Sequence, residues 1–386
     1  MKRNIVVLIL LLSFIPAVRA QHKVFPPSLS DSAFASILTC GPGQDFYESF
    51  GHTALRICDS NRNFDVVFNY GTFNFGQPNF YLMFALGQLD YYLAVQSYNS
   101  FLDDYIFEGR AVMQQRLLLS KHELDTLYQM LLVNMRPENK NYKYDFFRDN
   151  CATRVVDMVA ASLEERQLMN DTLVVPKATY RDMIHTYTDT ALLWWRLGID
   201  LILGARCDQS MTGRQNMYMP IELMCQLDTS LLSTGKRLTE KPSQLLEEEK
   251  EPPSKSFSPT LAFWLIFLAV LAITMIALHR HKNLPWLDAL FFLAPVLISI
   301  LIIFLWFGSD HWCTKWNLNI LWASPIFLWP LLRLRKSTPA SNIVPLIFML
   351  IFLVIWPLLP QSFNPAVLPI VLTLIVRLLH RMSYSR

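Results

Sequence analysis

The residues best suited to covalent chemistry in this chain are one thiol and one imidazole, far apart in sequence. Cys151 stands in Asp149-Asn150-Cys151-Ala152-Thr153-Arg154-Val155-Val156-Asp157, and His52 in Phe50-Gly51-His52-Thr53-Ala54-Leu55-Arg56-Ile57. The first stretch reads as a loop running into a helix with the cysteine in its first turn, where the helix dipole favours thiolate over thiol. Asp149 and Asn150 are N-cap types, and Asn150 is also a candidate donor to an oxyanion. The second reads as a strand starting after a glycine, with a histidine at its mouth. Such a histidine can take the thiol proton and later return it, so a covalent thiol enzyme is the leading reading. Two plainer readings compete with it: Cys151 as half of a disulfide, and His52 as a satisfied core residue.

A cysteine–histidine pair needs a third group to orient the imidazole. Residues 53–58, a polar turn at 59–63 and residues 64–73 read as a hairpin. With 59–62 as a four-residue loop, Cys58 pairs with Asn63, Arg56 with Asp65 and His52 with Asn69. That register puts an ion pair and the His–Asn pair on one face, and Leu55, Ile57, Phe64, Val66 and Phe68 on the other. Asn69 is therefore the expected orienting residue; one residue of slip substitutes Tyr70.

These residues need a scaffold. Residues 1–20 have the parts of a signal peptide: Lys2 and Arg3, an apolar run at 5–14, then Ala17-Val18-Arg19-Ala20. The alternative is an uncleaved anchor helix; either way the following segment is exported. Residues 21–230 mix strand-like stretches at 33–39 and 110–119 with helical spacing at 121–135, after Cys151, and at 188–203. No βαβ rhythm links them, so an α+β domain is expected. Residues 231–258 are polar, with Glu247-Glu248-Glu249-Lys250-Glu251 and Pro252-Pro253, and read as a linker.

The chain has 386 residues, 52% of them hydrophobic, with 10 tryptophans, more than ordinary soluble domains need. Nearly all of the excess follows residue 258, in apolar runs at about 260–278, 284–307, 319–333, 342–360 and 364–379. The second is long enough to span a bilayer outright, whereas the third and fifth fall short of the usual requirement of about 20 residues. The basic flanks (His279-Arg280-His281-Lys282, Arg333-Leu334-Arg335-Lys336 and 377–386) alternate with nearly neutral ones at 308–319 and 361–364. The positive-inside rule places the basic ends in the cytoplasm. Residues 259–380 are thus expected to form an all-α transmembrane domain of about five helices in the inner (cytoplasmic) membrane, with the thiol domain periplasmic.

Other chemistries find little support. A formal net charge of +3 without a basic stripe argues against nucleic acid. The remaining histidines lack companions at ligand spacing, and no Cys-x-x-Cys or Gly-rich phosphate loop occurs, so neither metal nor cofactor is expected. Cys40 with Cys58, and Cys207 with Cys225, are plausible disulfide pairs, leaving Cys313 over. Trp306, Trp312 and Trp316 fit an interfacial belt. Between the second and third runs, His311, Asn317 and Asn319 put polar groups at the exported face, either as an ordinary hydrated loop or as a lipid headgroup or amine site.

Gly-His-Thr-Ala on a strand, followed by Asn-Cys at a helix start, resembles the circularly permuted branch of the NlpC-type papain-like superfamily, in which histidine precedes cysteine, as in lecithin retinol acyltransferase. The 50–57 and 150–157 motifs, Phe68-Asn69-Tyr70-Gly71-Thr72-Phe73 and Asn317-Leu318-Asn319 more closely resemble the Bacteroidota lipoprotein N-acyltransferase family, called Lnb. This resemblance covers essentially the whole mature chain. It implies an exported papain-like thiol domain joined to a multi-span domain, with Cys151 as nucleophile and His52 as base; the third residue stays open. The implied reaction moves an acyl chain from a phospholipid, through a Cys151 thioester, to the N-terminal amine of a diacylglyceryl-cysteine lipoprotein. Two other classes remain: a peptidoglycan amidase, peptidase or phospholipase using the same pair, and a non-catalytic membrane assembly factor. Five spans exceed what a tethered cell-wall enzyme needs.

Overall fold

The computed structural model of the chain describes residues 25–43, 45–163, 174–188, 192–249 and 256–384. The expected signal peptide and Pro252-Pro253 lie outside these residues. Strands β1 (Phe34–Cys40), β2 (His52–Asp59) and β3 (Phe64–Thr72) form an antiparallel meander, followed by helix α1 (Phe80–Leu86) and strand β4 (Asp90–Ser97). Then come α2 (Tyr98–Glu108), β5 (Val112–Arg116), α3 (Lys121–Asn134), β6 (Asn141–Lys143) and α4 (Cys151–Ser162). A smaller lobe holds β7 (Val174–Thr179), α5 (Tyr180–Tyr187), α6 (Leu193–Ile202) and β8 (Ser210–Thr212); α7 (Pro220–Thr229) then packs Leu223 and Leu227 into the main core, and β9 (Ser243–Leu246) returns to the sheet. The strand order is β6-β4-β3-β2-β1-β5-β9, with β7 and β8 as a separate pair.

Both faces of this sheet are covered, which explains why its central strands are apolar on both sides. Leu55, Ile57, Val66 and Phe68 pack with Leu127 and Leu131 of α3 and Val155, Val156 and Val159 of α4. Ala54 and Val67 face the other way, onto Phe101 and Tyr105 of α2. The helices start at side-chain caps: Ser97 for α2, and reciprocal capping boxes Ser120/Glu123 and Asn150/Thr153 for α3 and α4.

The hairpin register differs from expectation by two residues. β2 runs on to Asp59, the turn is Ser60–Arg62, and Asn63 takes the left-handed conformation (φ 49°). Cys58 therefore opposes Asp65, and Arg56 opposes Val67. An even slip preserves the faces, so Arg56 still holds Asp65 bidentately at 2.8 and 2.7 Å. The cysteine pairing does not survive. Cys40 opposes His52 and Cys58 opposes Phe34, at opposite ends of one ladder. Six residues of strand span about 20 Å, far beyond what a disulfide bridges. Cys207 is buried beside Cys313, Cys225 is exposed on α7, and all six cysteines are free thiols.

The segment expected as a linker is largely built into the domain. Leu232 and Leu238 are buried in the main core, and β9 pairs with β5, covering an edge that would otherwise be unpaired.

The C-terminal region is helical: α8 (Pro259–His279), α9 (Pro285–Phe307), the single turn α10 (Leu328–Leu332), α11 (Pro339–Ile355) and α12 (Val367–Met382). Among the described residues three helices are long and apolar enough to cross a membrane, namely α8, α9 and Pro339–Leu358. The expected 319–333 helix is broken into 3-10 turns at Leu318–Leu321 and Pro325–Phe327 followed by α10. Pro325 and Pro330 withhold two helix-bonding amides from this run. Trp322, Ala323 and Phe327 are buried against α9, α11 and α12, and enclosure by protein is the condition under which irregular backbone is tolerated at membrane depth. The chain still passes five times between the two ends of this region. At one end Asn319 and Asn364 meet the N-terminal domain; at the other Arg377 and Arg381 converge on buried Asp288, and Arg381 also reaches Arg333 O.

Candidate active site

Asn150 caps α4 and thereby sets Cys151 as its first residue. Asn150 Oδ1 accepts from Thr153 N at 2.9 Å, and Thr153 Oγ1 accepts from Asn150 N at 2.8 Å. The Asn150 side-chain amide donates to Phe146 O and Tyr218 O, both at 2.8 Å. Its hydrogens are thus committed to backbone carbonyls. Asn150 shapes the helix start and ties it to the smaller lobe.

The first turn of α4 lies against the ends of β2 and β3. Backbone amides of Thr53, Ala152 and Cys151 itself act on the Cys151 sulfur to favour its thiolate. Two glycines allow this approach. Gly71, at φ +85°, sits where an added Cβ would stand 3.5 Å from Cys151 Cβ. Gly51, at φ +77°, lets the chain turn into β2 where an added Cβ would meet Cys40 O at 2.6 Å. His52 follows directly, and its Nε2 lies 3.2 Å from Asn69 Oδ1. A carbonyl oxygen only accepts, so the imidazole proton sits on Nε2 and the Nδ1 lone pair is the basic one. Tyr70 points to the opposite face, where its hydroxyl accepts from Asn134 Nδ2 at 2.9 Å.

The electrostatics depart from the helix-dipole expectation. Burial pushes the Cys151 thiol up, against the lowering effect of the three amides. Burial pushes His52 down to about 4, Asn69 opposes that shift, and the Arg110 charge adds to it. At neutral pH Cys151 is accordingly a thiol and His52 a neutral imidazole.

The three residues anticipated at the membrane level separate. His311 Nε2 donates to Phe84 O at 2.8 Å, at the rim of an open groove of about 410 Å³ that Tyr144, Arg148, Asp149 and Gly87 also line. Asn317 and Asn319 are each 1% exposed and do not face the groove. Asn317 Nδ2 donates to Leu201 O at 2.8 Å, and Asn319 Nδ2 to Asp200 O at 2.9 Å. Asn319 Oδ1 accepts from Trp322 Nε1 at 2.8 Å. They staple α6 to the helical region. Asp200 itself accepts from Arg181, His185 and Asn364 at 2.8 to 2.9 Å, a junction the sequence reading missed. Its one visible signal is an aspartate within a largely apolar helical stretch. Tyr144, which stacks on Tyr91 at 4.3 Å and packs on Gly71, was likewise missed as a wall of the site.

No curated protein and no solved structure matches the chain. Two family models do: the Lnb N-terminal periplasmic domain over residues 28–186 and the Lnb transmembrane domain over residues 250–386. With both halves of the architecture matched in order, across most of its length, the chain belongs to the Lnb-type lipoprotein N-acyltransferase family.

Proposed function

We propose that this protein N-acylates lipoproteins by thiol chemistry at Cys151, with a phospholipid as acyl donor. The observation that carries the reading is that the Cys151 helix start lies against Gly71 and Thr53, and the residue preceding Thr53 is a His52 whose Nε2 is held by Asn69. Family membership supports the overall reaction. The fold reading that goes with it is a permuted papain-like domain: histidine and orienting asparagine on adjacent strands, and the cysteine heading a later helix.

His52 Nδ1 removes the Cys151 proton as the sulfur attacks the ester carbonyl. The tetrahedral oxyanion draws on amides at the head of α4 and on Thr53 N, in place of the Asn150 side chain. Collapse breaks the ester bond, the lysolipid oxygen takes the proton from His52, and a thioester remains. The α-amine of the lipoprotein's diacylglyceryl-cysteine then attacks and loses a proton to His52. Collapse forms the amide and returns the proton to the departing Cys151 sulfur. Exclusion of water at the membrane junction favours transfer over hydrolysis.

In the same reading the basic ends of the five passes are cytoplasmic and the sheet domain is periplasmic, on the inner membrane. The test is mass spectrometry of lipoprotein N-termini from cells carrying wild type, Cys151→Ala or His52→Ala. Each substitution removes one member of a cooperating pair and is expected to lower N-acylation by several orders of magnitude while the protein stays folded in the membrane. Near-normal acylation in either variant overturns the assignment. Lysolipid release without N-acylation in wild type would identify a phospholipase instead.

A further inference from the structure

The surface around α1 carries apolar groups that the catalytic residues do not use. Residues 71–88 contain no charged side chain. On α1 Tyr81 is 81% exposed, Leu82 51% and Phe84 53%, and Phe75 beside them is 61% exposed. A contiguous apolar patch of this kind marks an interaction surface.

Its position identifies the partner. The C-terminal end of α1 is fastened to the residues that follow α9: Asp310 N donates to Leu86 O at 2.7 Å, His311 Nε2 to Phe84 O at 2.8 Å, and Gln88 Nε2 to Asp310 Oδ2 at 2.9 Å. α9 is an apolar spanning helix that ends at exposed Phe307, with Trp306 stacked on it. The α1 patch therefore continues the lipid-facing surface of the helical region. Inward from the patch the rings are in unbroken contact. Phe75 meets Phe80 and Phe73 at 5.0 and 4.9 Å, Phe73 meets Tyr91 at 5.3 Å, and Tyr91 stacks on Tyr144, which packs on Gly71 next to Cys151.

We infer that α1 is an in-plane membrane helix whose exposed face sits among the acyl chains of the periplasmic leaflet, and that the aromatic run from Phe75 to Tyr144 is the wall along which one lipid chain reaches Cys151. A wall of uncharged aromatic rings suits an acyl chain, whose methylenes are costly to expose to water. The seating of α1 is independent of the proposed reaction; the path to Cys151 rests on it.

The experiment uses the full chain in vesicles of phosphatidylethanolamine and phosphatidylglycerol, with photoreactive benzoylphenylalanine placed in turn at Tyr81, Phe84, Leu290 and Asn61. Leu290 is 59% exposed on α9 and reports lipid contact. Asn61 lies in the turn before β3, at the end of the sheet opposite Asp90 and Gly87, and reports background. Lipid adducts at positions 81 and 84 are expected to match those at 290 and to exceed those at 61 at least tenfold. Adducts at 81 and 84 no greater than at 61, with 290 labelled, overturn the seating. For the path, the double variant Tyr81→Asp, Phe84→Asp is expected to lose at least tenfold in acyl transfer while Cys151 keeps its reactivity toward a small water-soluble alkylating reagent. Unchanged transfer overturns the path. Should Cys151→Ala retain transfer, the proposed reaction fails while the adducts still decide where α1 sits.

Discussion

Asn69 reaches His52 along a diagonal of the β2–β3 ladder, from Oδ1 to Nε2 at 3.2 Å, on the face opposite Tyr70. This contact fixes both the ring's tautomer and its direction. Asn69→Ala is expected to lower transfer by about a hundredfold, since a misdirected ring costs about that much even with thiol and imidazole present. Asn69→Asp makes the stronger test. A carboxylate beside the ring stabilises imidazolium and raises the His52 pKa from about 4, so the acid limb of the kcat/KM profile should move toward neutral pH. An acid limb that stays put in the aspartate variant argues against His52 as the base.

Thiol reactivity offers a second check. The Cys151 pKa is raised and that of His52 lowered, so no thiolate–imidazolium pair exists at rest. Alkylation of Cys151 by iodoacetamide, followed by peptide mass spectrometry, should rise steadily as pH increases through the alkaline range. A plateau of rapid alkylation between about pH 5 and 8 would reveal a preformed ion pair and contradict these shifts.

Asn319 and Asp200 predict a structural phenotype. Asn319→Ala strips donors from Asp200 O and Leu201 O and an acceptor from Trp322 Nε1, all at a buried seam. Leaving such groups unsatisfied costs about 1–3 kcal/mol each. The variant should melt at lower temperature in detergent and be cleaved faster by protease, with Cys151 alkylation preserved in the fraction that remains folded. Unchanged melting together with lost transfer would return Asn319 to a substrate-binding role.

Topology can be read with fusions. Reporters after Lys282 and after Lys336 should behave as cytoplasmic, and one after Asn364 as periplasmic. The broken 318–332 pass makes the Lys336 fusion the informative one, since α9 and α11 alone would not require a crossing there. A periplasmic signal at Lys336 would mean that this run turns back within the membrane.

What the sequence determined by itself follows from short-range rules. The alternation of Leu55 and Ile57 against His52 and Arg56 assigned faces, and because that period is two it survived a register error of two residues. Asn150 before Cys151 marked a helix start because capping needs only neighbouring groups. Long apolar runs marked α8, α9 and α11 because crossing a bilayer depends on length and composition. Tertiary structure decided the rest, wherever the outcome depended on partners distant in sequence. Carbonyls of Phe146 and Tyr218, distant from each other in sequence, take up the Asn150 amide. The buried setting of Cys151 outweighs the amides at its helix start and reverses the expected pKa shift. Asn317 and Asn319 lie at the exported end as anticipated, yet α6 closes over them and makes them a seam. The 319–333 run reads as a helix until α9, α11 and α12 enclose it, and that enclosure is what permits its backbone to break.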